Sequence, residues 1–247
     1  MRTLLIDGDI LIYKIATQKE VPTHWGDGLW TLHCDENICK AEVDDQLQQL
    51  KENLEADNFI IALTDKSNFR KDILPSYKDN RKSKRKPLAL PLLRQHCIDN
   101  YNAVIMEGLE ADDVLGILAT EPTNEERIIV SIDKDLLQIP GKVSRDGKTY
   151  EEISEDEANY WHMMQTLTGD STDGYSGCPG IGVKTAQKVL GDHANVPLLD
   201  LWMRVLAAYA KVGYSTDEAL AQARVARILR HNDYNKETGG IKLWQTS

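Results

Sequence analysis

The chain has 247 residues, of which 41% are hydrophobic and 28% charged, and it carries a formal net charge of −10 at pH 7. This length and composition predict a large α/β unit with or without a smaller appendage. No apolar run approaches the roughly 20 residues of a membrane span, which excludes a transmembrane segment. The acidic N-terminal segment lacks a signal-peptide pattern and the four cysteines form no CxxC pair, so we expect a cytoplasmic protein without a disulfide framework.

Apolar runs predict strands that alternate with helices over the first half of the chain. The run TLLID predicts a buried strand ending at Asp7, and an apolar stripe predicts a helix over 36–56. The run NFIIALTD predicts a second strand ending at Asp65, followed by a helix near 88–100, a short strand AVIMEG and a helix EADDVLGILAT. The run RIIVSID predicts a strand ending at Asp133. This alternation indicates βαβ units and a mostly parallel central sheet flanked by helices.

The composition becomes more helical after this sheet. An Asp146-Gly147 turn between β-prone flanks predicts a hairpin, and the capping-box pattern SEDE predicts a helix that begins after Ser154. A glycine-rich stretch then precedes a helix starting near Val183, and the rest is mostly helical, with IKLW as a terminal strand. The predicted organisation is an α/β core over 1–155 and a helical region over 156–247.

Nine acidic residues are placed to meet at one edge of the predicted sheet. Three of them end buried strands, and open α/β sheets place their ligand sites at the carboxyl ends of parallel strands. The helix dipole alone explains acids at the start of EADDVLGILAT, but it does not explain the whole set. The nine are Asp7, Asp65, Glu110, Asp112, Asp113, Asp133, Asp135, Asp170 and Asp173.

Convergence of so many carboxylates requires neutralising cations. Crowded carboxylates otherwise repel each other or take up protons, whereas hard divalent cations prefer oxygen ligands. Magnesium is the expected ion. Two such ions about 4 Å apart can activate a water and stabilise the leaving oxygen in phosphodiester hydrolysis.

A dense basic segment interrupts this acidic chain. The net charge argues against a polyanionic partner, but residues 78–86 read KDNRKSKRK. Such a run is typical of a solvated surface segment, and it also suits contacts with phosphates. Both interpretations stay open for Lys82, Lys84, Arg85 and Lys86.

Taken together, the motifs resemble the flap-endonuclease/5′-to-3′ exonuclease superfamily. They run in the order IDGD, Asp65 before YKDNR, GLEADD, SIDKD, GDSTDG and GCPGIGVKTA, and they are most similar to the 5′-to-3′ exonucleases of short-tailed podophages. The resemblance implies a PIN-like or resolvase-like nuclease core with a basic arch or gateway segment at about 75–100. It also implies a helix-three-turn-helix DNA-binding motif at about 165–192.

The resemblance further implies roles for the charged residues. One metal cluster would comprise Asp7, Asp65, Glu110, Asp112 and Asp113, and a second would comprise Asp133, Asp135, Asp170 and Asp173. Lys78 and Arg81 match a catalytic basic pair that holds the scissile phosphate, where removing such a group costs ~10²-fold in rate. Asp9 lies outside the pattern, and we expect a structural or outer-shell role for it.

The expected DNA-binding residues fall into three groups. Tyr13 matches an aromatic that stacks on the terminal base, with a plain core tyrosine as the alternative. The basic segment and the glycine-rich hairpin would contact phosphates, the latter through backbone amides ahead of the helix at Val183. The set is Tyr13, Lys78, Arg81, Lys82, Lys84, Arg85, Lys86, Gly177, Gly180, Gly182, Lys184 and Lys188.

The expected function is a structure-specific 5′ nuclease of DNA replication that acts at 5′ ends or flaps of duplex DNA and on RNA-DNA hybrids. The implied cofactors are two Mg²⁺, with Mn²⁺ as a substitute, and K⁺ at the hairpin. Replication proteins are the implied protein partners, in the host cytoplasm if the chain is phage-encoded. Two alternatives stay open: a PIN-type ribonuclease, and a non-catalytic module that binds duplex DNA.

Overall fold

The computed structural model describes residues 1–191 and 196–246. The strands are β1 (Arg2–Asp7), β2 (Val21–His24), β3 (Trp30–His33), β4 (Asn58–Ala62), β5 (Glu126–Val130), β6 (Gly141–Ser144), β7 (Glu151–Ile153), β8 (Tyr234–Asn235) and β9 (Gly240–Ile241). The helices are α1 (Gly8–Gln18), α2 (Glu36–Asn53), α3 (Arg70–Ile73), α4 (Leu90–Tyr101), α5 (Ala111–Thr120), α6 (Glu155–Thr168), α7 (Val183–Leu190), α8 (Leu198–Lys211) and α9 (Thr216–Ala226).

The central sheet has five strands in the order β4-β1-β5-β6-β7. Strand β1 lies between β4 and β5 and runs parallel to both, β6 is parallel to β5, and β7 is antiparallel to β6. Parallel strands covered on both faces read as continuous apolar runs, and Leu4, Leu5 and Ile6 of β1 are fully buried. The predicted α/β fold with a mostly parallel sheet is confirmed.

Helices cover both faces of the sheet. Because side chains alternate along a strand, Leu4 and Ile6 pack with α1, α2 and α4 on one face. Leu5 packs on the other face with α5 and with Ile228 and Leu229, which follow α9. Gly116 of α5 permits this close approach, since a Cβ there would overlap the carbonyl of Leu229. The C-terminal segment therefore packs back onto the sheet.

A third apolar cluster lies among α6, α7, α8 and α9. Helix α6 begins as predicted, with the Ser154 hydroxyl accepting from the Glu157 amide at 3.2 Å and the Glu157 carboxylate accepting from the Ser154 amide at 2.9 Å. This helical region supports the C-terminal half of the predicted organisation. The division at residue 155 stays a proposal.

Several predicted elements differ in the structure. The segment AVIMEG is not a strand, because only Val104 makes a bridge, to Ala62. The terminal strand IKLW shortens to β9, which pairs with β8. Asp65 and Asp133 lie three residues beyond the ends of β4 and β5. The hairpin of β6 and β7 is confirmed, whereas the hairpin of β2 and β3 was not predicted.

The basic segment is mostly irregular, and the predicted arch or gateway over about 75–100 stays a proposal. Asp79–Arg81 is a single 3₁₀ turn, and residues 82–89 contain no helix or strand. A run of like charges disfavours a helix, and Pro87 follows it. Within the described ranges, no helix has the length and apolar character needed to cross a bilayer.

Candidate active site

Helix α5 presents three acidic side chains to three different environments. Its apolar half, from Val114 to Leu118, is buried against the sheet. Glu110 precedes the helix at its N-cap, and Asp112 and Asp113 lie in the first turn. The electrostatic partners of Asp112 include Asp7 and Asp133, whereas Asp113 pairs with Arg70.

Asp113 is saturated by a buried ion pair. Its carboxylate accepts from both terminal nitrogens of Arg70 at 2.7 and 2.8 Å, from the Glu110 amide at 3.2 Å and from the Leu229 amide at 3.0 Å. A carboxylate has about four acceptor positions, so none is left for a metal. Arg70 also donates to the carbonyls of Val225 and Arg227. The sequence predicts that Asp113 binds a metal. In the structure its carboxylate is instead used to hold Arg70 and the C-terminal segment in position.

Glu110 and Asp173 are joined by Tyr77 and by the predicted basic pair. The Tyr77 hydroxyl lies 2.9 Å from a carboxylate oxygen of each acid. Lys78 pairs with Glu110 and lies 3.4 Å from Asp173, which also pairs with Arg81. The structure therefore brings together residues assigned to two separate metal clusters.

The charges in this group set the protonation states of Glu110 and Lys78. Burial opposes ionisation of Glu110, but Arg70 and Lys78 outweigh it and hold its pKa below the ordinary value. Burial also opposes the charge on Lys78, and Glu110 and Asp173 raise its pKa above the ordinary value. The lysine and the glutamate are both charged at neutral pH.

Asp7, Asp112 and Asp133 form the most crowded carboxylate group. Asp7 is only 4% exposed, and it accepts from the Ile10 amide at 3.1 Å and the Ser131 hydroxyl at 2.8 Å. Burial, opposed by these hydrogen bonds and aided by Asp9 and Asp133, raises its pKa to about 6. Burial together with Asp7, Glu110 and Asp133 raises the pKa of Asp112 well above its ordinary value. Added positive charge would relieve this crowding.

Asp135 and Asp170 extend the acidic group toward α6. Asp135 accepts from the Gln165 side-chain amide at 2.7 Å, and burial with Asp133 and Asp170 raises its pKa to about 6. Asp170 accepts from the Thr172 amide at 2.6 Å, which shapes the GDSTDG loop. These contacts hold both acids in a fixed relation to the rest of the group.

A small cavity lies at the centre of this arrangement. It is lined by Glu110 and Asp112 from one predicted cluster and by Asp135 and Asp173 from the other, together with Tyr77. In residues 1–191 and 196–246, no three Asp, Glu, His or Cys side chains are close enough to hold a metal ion as they stand. The donor chemistry nevertheless fits hard divalent cations, because the donors are carboxylate oxygens. Burial and neighbouring carboxylates raise the pKa values of Asp7, Asp112 and Asp135.

Asp65 lies beside the turn that precedes α5, and its amide donates to the Leu109 carbonyl at 2.9 Å. One of its oxygens accepts from the Ser67 hydroxyl at 2.5 Å and from the Gly108 amide at 2.9 Å, and these hydrogen bonds lower its pKa. Asp9 accepts from the Thr64 amide at 2.9 Å and lies 3.5 Å from Arg94. Asp65 therefore stabilises the loop after β4, and the contacts of Asp9 match the structural role expected for it.

The residues of the basic segment differ in their contacts. Arg85 makes a two-point pair with Glu20 at 2.8 and 2.7 Å, and Lys82 pairs with Asp79 at 2.7 Å. Lys84 and Lys86 are exposed. Tyr13 is 51% exposed, so the alternative of a core tyrosine is wrong.

The glycine-rich hairpin combines a packed part with an exposed part. The predicted motif extends to about residue 192, which lies outside the described residues. Gly177 has a φ of +63°, and a Cβ there would overlap the backbone of Gly169 and Leu167. The absence of a side chain at Gly177 therefore allows these two backbone segments to cross closely. Gly180 and Gly182 are exposed just before α7, as are Lys184 and Lys188 on it.

Comparison with known proteins matches this architecture. A model of the N-terminal resolvase-like domain of 5′-3′ exonucleases matches residues 2–162. The chain belongs to this exonuclease family. Enterobacteria phage T3 exodeoxyribonuclease is 30% identical over 98% of this chain and 92% of its own length. Escherichia phage T7 exonuclease is 29% identical over 98% of this chain and 93% of its own length.

A solved structure shares the fold of this 5′-3′ exonuclease. The T5 D15 protein, co-crystallised with metal ions, matches with a TM-score of 0.64 at 16% identity, covering 92% of this chain and 89% of its own. The full-length phage relatives and the domain match confirm the predicted 5′ nuclease family and its phosphodiester-hydrolase class.

Sequence reasoning missed four residues that organise the site of this exonuclease. Tyr77 and Ser131 donate to predicted site acids, Gln165 holds Asp135, and Arg70 neutralises Asp113. Tyr77 is the first residue of the YKDNR motif and directly precedes Lys78, so its position was a usable signal. Arg70 carried no signal, because its partner is 43 residues away in the chain.

Proposed function

We propose that this chain is a divalent-metal-dependent nuclease that hydrolyses phosphodiester bonds at or near the 5′ ends of duplex DNA. Cleavage of 5′ flaps and removal of RNA from RNA-DNA hybrids belong to the proposal. The observation that carries it is the cavity lined by acids of both predicted clusters, with Lys78 and Arg81 paired to two of those acids. This chemistry requires carboxylates that bind metal ions and basic side chains that bind the phosphate.

The residues best placed to hold two Mg²⁺ ions, or Mn²⁺ in their place, are the crowded acids. We assign this role to Asp7, Glu110, Asp112, Asp133, Asp135, Asp170 and Asp173. Such cations supply activation of a water and stabilisation of the leaving oxygen when bound. Asp65 and Asp113 act through position: Asp65 holds the loop after β4, and Asp113 holds α5 against the C-terminal segment.

Lys78 and Arg81 have a second role in this proposal. In the free protein they pair with Glu110 and Asp173. A scissile phosphate at the cavity offers both cations another anion, and their transfer to it frees the two carboxylates. In the free protein Lys78 carries its proton, because Glu110 and Asp173 raise its pKa. The pair therefore orients the phosphate and stabilises its growing negative charge.

The duplex is bound on the side of the glycine-rich hairpin. The exposed N-terminus of α7 presents backbone amides and Lys184 to a phosphate, and Lys188 lies one turn further along. K⁺ at the same hairpin is part of the proposal. A structure of the T5 D15 flap endonuclease in complex with DNA, a fold neighbour at TM-score 0.58, supports DNA binding. Because two full-length relatives are phage enzymes, we propose action beside replication proteins in the host cytoplasm.

The test uses 5′-labelled blunt, flapped and RNA-primed duplexes with Mg²⁺ and with EDTA. We expect cleavage only with Mg²⁺, and a loss of at least ~10²-fold in kcat for Asp112→Asn. The matched control is Asp72→Asn, an exposed acid on α3. Cleavage that persists in EDTA contradicts the proposal. Preference for single-stranded RNA would indicate a PIN-type ribonuclease, and binding without hydrolysis would indicate a non-catalytic module.

A further inference from the structure

The hairpin of β2 and β3 exposes an unusual amount of aromatic surface. Trp25 is 67% exposed and Trp30 is 61% exposed, and Leu29 beside them is 60% exposed. All four residues of β3 are exposed. A lone two-stranded hairpin is only marginally stable in water, and contiguous exposed apolar surface commonly marks a binding site. Nothing in the site described above accounts for this surface.

The aromatic rings of the hairpin are held in place. The His24 and Trp30 rings stack with centroids 4.4 Å apart and planes 27° apart. The indole nitrogen of Trp25 donates to the Thr31 hydroxyl at 2.9 Å, and the Trp25 and Leu29 backbones pair at 2.9 Å. The hairpin therefore presents flat faces in a preset orientation, which is the requirement for stacking on another flat group.

The base of this hairpin is tied to the basic segment. Glu20, directly before β2, pairs at two points with Arg85 and accepts from the Leu88 amide at 2.6 Å. These contacts lower the pKa of Glu20 to about 2, first through Arg85 and then through the amide. The pair joins elements 65 residues apart in the chain. Hairpin and basic segment thus form one continuous surface.

This surface begins at the candidate active site. Arg81 pairs with Asp173 beside the cavity, and the exposed lysines of the basic segment, Lys82, Lys84 and Lys86, follow it directly. The exposed Tyr13 lies close enough to Arg85 to affect its charge. Arg81 thus lies at the cavity, the lysines follow it in the chain, and the pair of Arg85 with Glu20 leads to the hairpin.

We propose that the β2-β3 hairpin and the basic segment together bind the unpaired 5′ strand of a flapped or tailed DNA, with bases stacking on Trp25 and Trp30. The inference rests on the proposed nuclease function and names where its single-stranded substrate lies. A basic surface combined with aromatic side chains is the usual means of binding single strands without sequence preference. The lysines match a polyanion, which favours a nucleic acid over an acidic protein partner.

The test compares a duplex that carries a 5′ oligo-dT tail of about 10 nucleotides, within the size range of single-strand sites, with the same duplex left blunt. Affinities are measured by fluorescence anisotropy in EDTA. For the double variant Trp25→Ala with Trp30→Ala, we expect the ratio of tailed to blunt affinity to fall at least about 30-fold, because each lost stacking contact costs about fivefold or more. Met203→Ala, which removes an exposed apolar side chain from α8, should keep the wild-type ratio.

A second variant separates stacking from folding. Trp25→Phe with Trp30→Phe keeps aromatic faces, and it should restore the ratio to within about threefold of wild type. An alanine variant that keeps the wild-type ratio overturns the inference and would assign the hairpin to a protein partner. A phenylalanine variant as weak as the alanine variant also overturns it. Wild-type cleavage of the blunt duplex with Mg²⁺ tests the nuclease function separately, since the binding ratio does not depend on it.

Discussion

The Arg70–Asp113 pair is predicted to be a main support of the candidate active site. We consider Arg70→Met, which keeps an apolar side chain of similar length and removes the charge. In the wild type, Arg70 makes two hydrogen bonds to Asp113 and one each to the carbonyls of Val225 and Arg227. Asp113 is fully buried, so the substitution leaves an uncompensated carboxylate without access to water.

The expected cost is large because the stranded group is charged. Removing one partner of a buried ion pair destabilises a protein by about 3–5 kcal/mol. At 2–4 °C per kcal/mol for a chain of this size, the melting temperature should fall by about 6–20 °C. Adding Asp113→Leu to Arg70→Met should recover about 2 kcal/mol relative to the sum of the single effects, because no buried charge remains.

Urea unfolding followed by circular dichroism measures these free energies. The control is Arg145→Met, an exposed arginine, which should stay within about 0.5 kcal/mol of wild type. An Arg70→Met cost below about 1 kcal/mol would refute the reasoning, and so would strict additivity in the double variant. Either result would mean that Asp113 finds water or another cation when Arg70 is absent.

Three further predictions concern Lys78, Asp7 and Gly177. Lys78→Ala should lower kcat on a flapped duplex ~10²-fold. The control, Lys71→Ala on the exposed face of α3, should keep the wild-type kcat. A Lys78→Ala variant as fast as this control would show that Lys78 takes no part in the chemistry. Because the pKa of Asp7 is raised to about 6, folding favours its protonated form. Asp7 should therefore add about 1 kcal/mol to the free energy of unfolding in EDTA as the pH falls from 7 to 5, measured by urea titration. The rise with falling pH should be smaller by this amount in Asp7→Asn, and an equal rise in the variant and the wild type would contradict this assignment. Gly177→Ala should lower the free energy of unfolding by about 3 kcal/mol and Gly180→Ala by about 1 kcal/mol, measured by thermal unfolding. Both glycines have a positive φ, but only at Gly177 would a Cβ also overlap neighbouring backbone. Equal losses in the two variants would disprove the close backbone crossing at Gly177.

Local patterns predicted much of the framework. The apolar run of β1, the capping box of α6 and the amphipathic stripe of α2 each depend on residues a few positions apart, and each was recovered. Strand ends were less accurate, because Asp65 and Asp133 follow their strands through short loops. The exposed hairpin of β2 and β3 was missed, since its apolar residues resemble those of a buried segment until their exposure is known.

The sequence by itself determined the fold class and the family, and it predicted that nine acids approach one sheet edge. Only the tertiary structure decided which acids face the cavity and which are already satisfied. Asp112 and Asp113 are adjacent in the chain, yet one joins the crowded carboxylates and the other is saturated by Arg70. The physical reason is that a carboxylate's role depends on its donors, and two of the donors to Asp113, Arg70 and the Leu229 amide, lie 43 and 116 residues away along the chain.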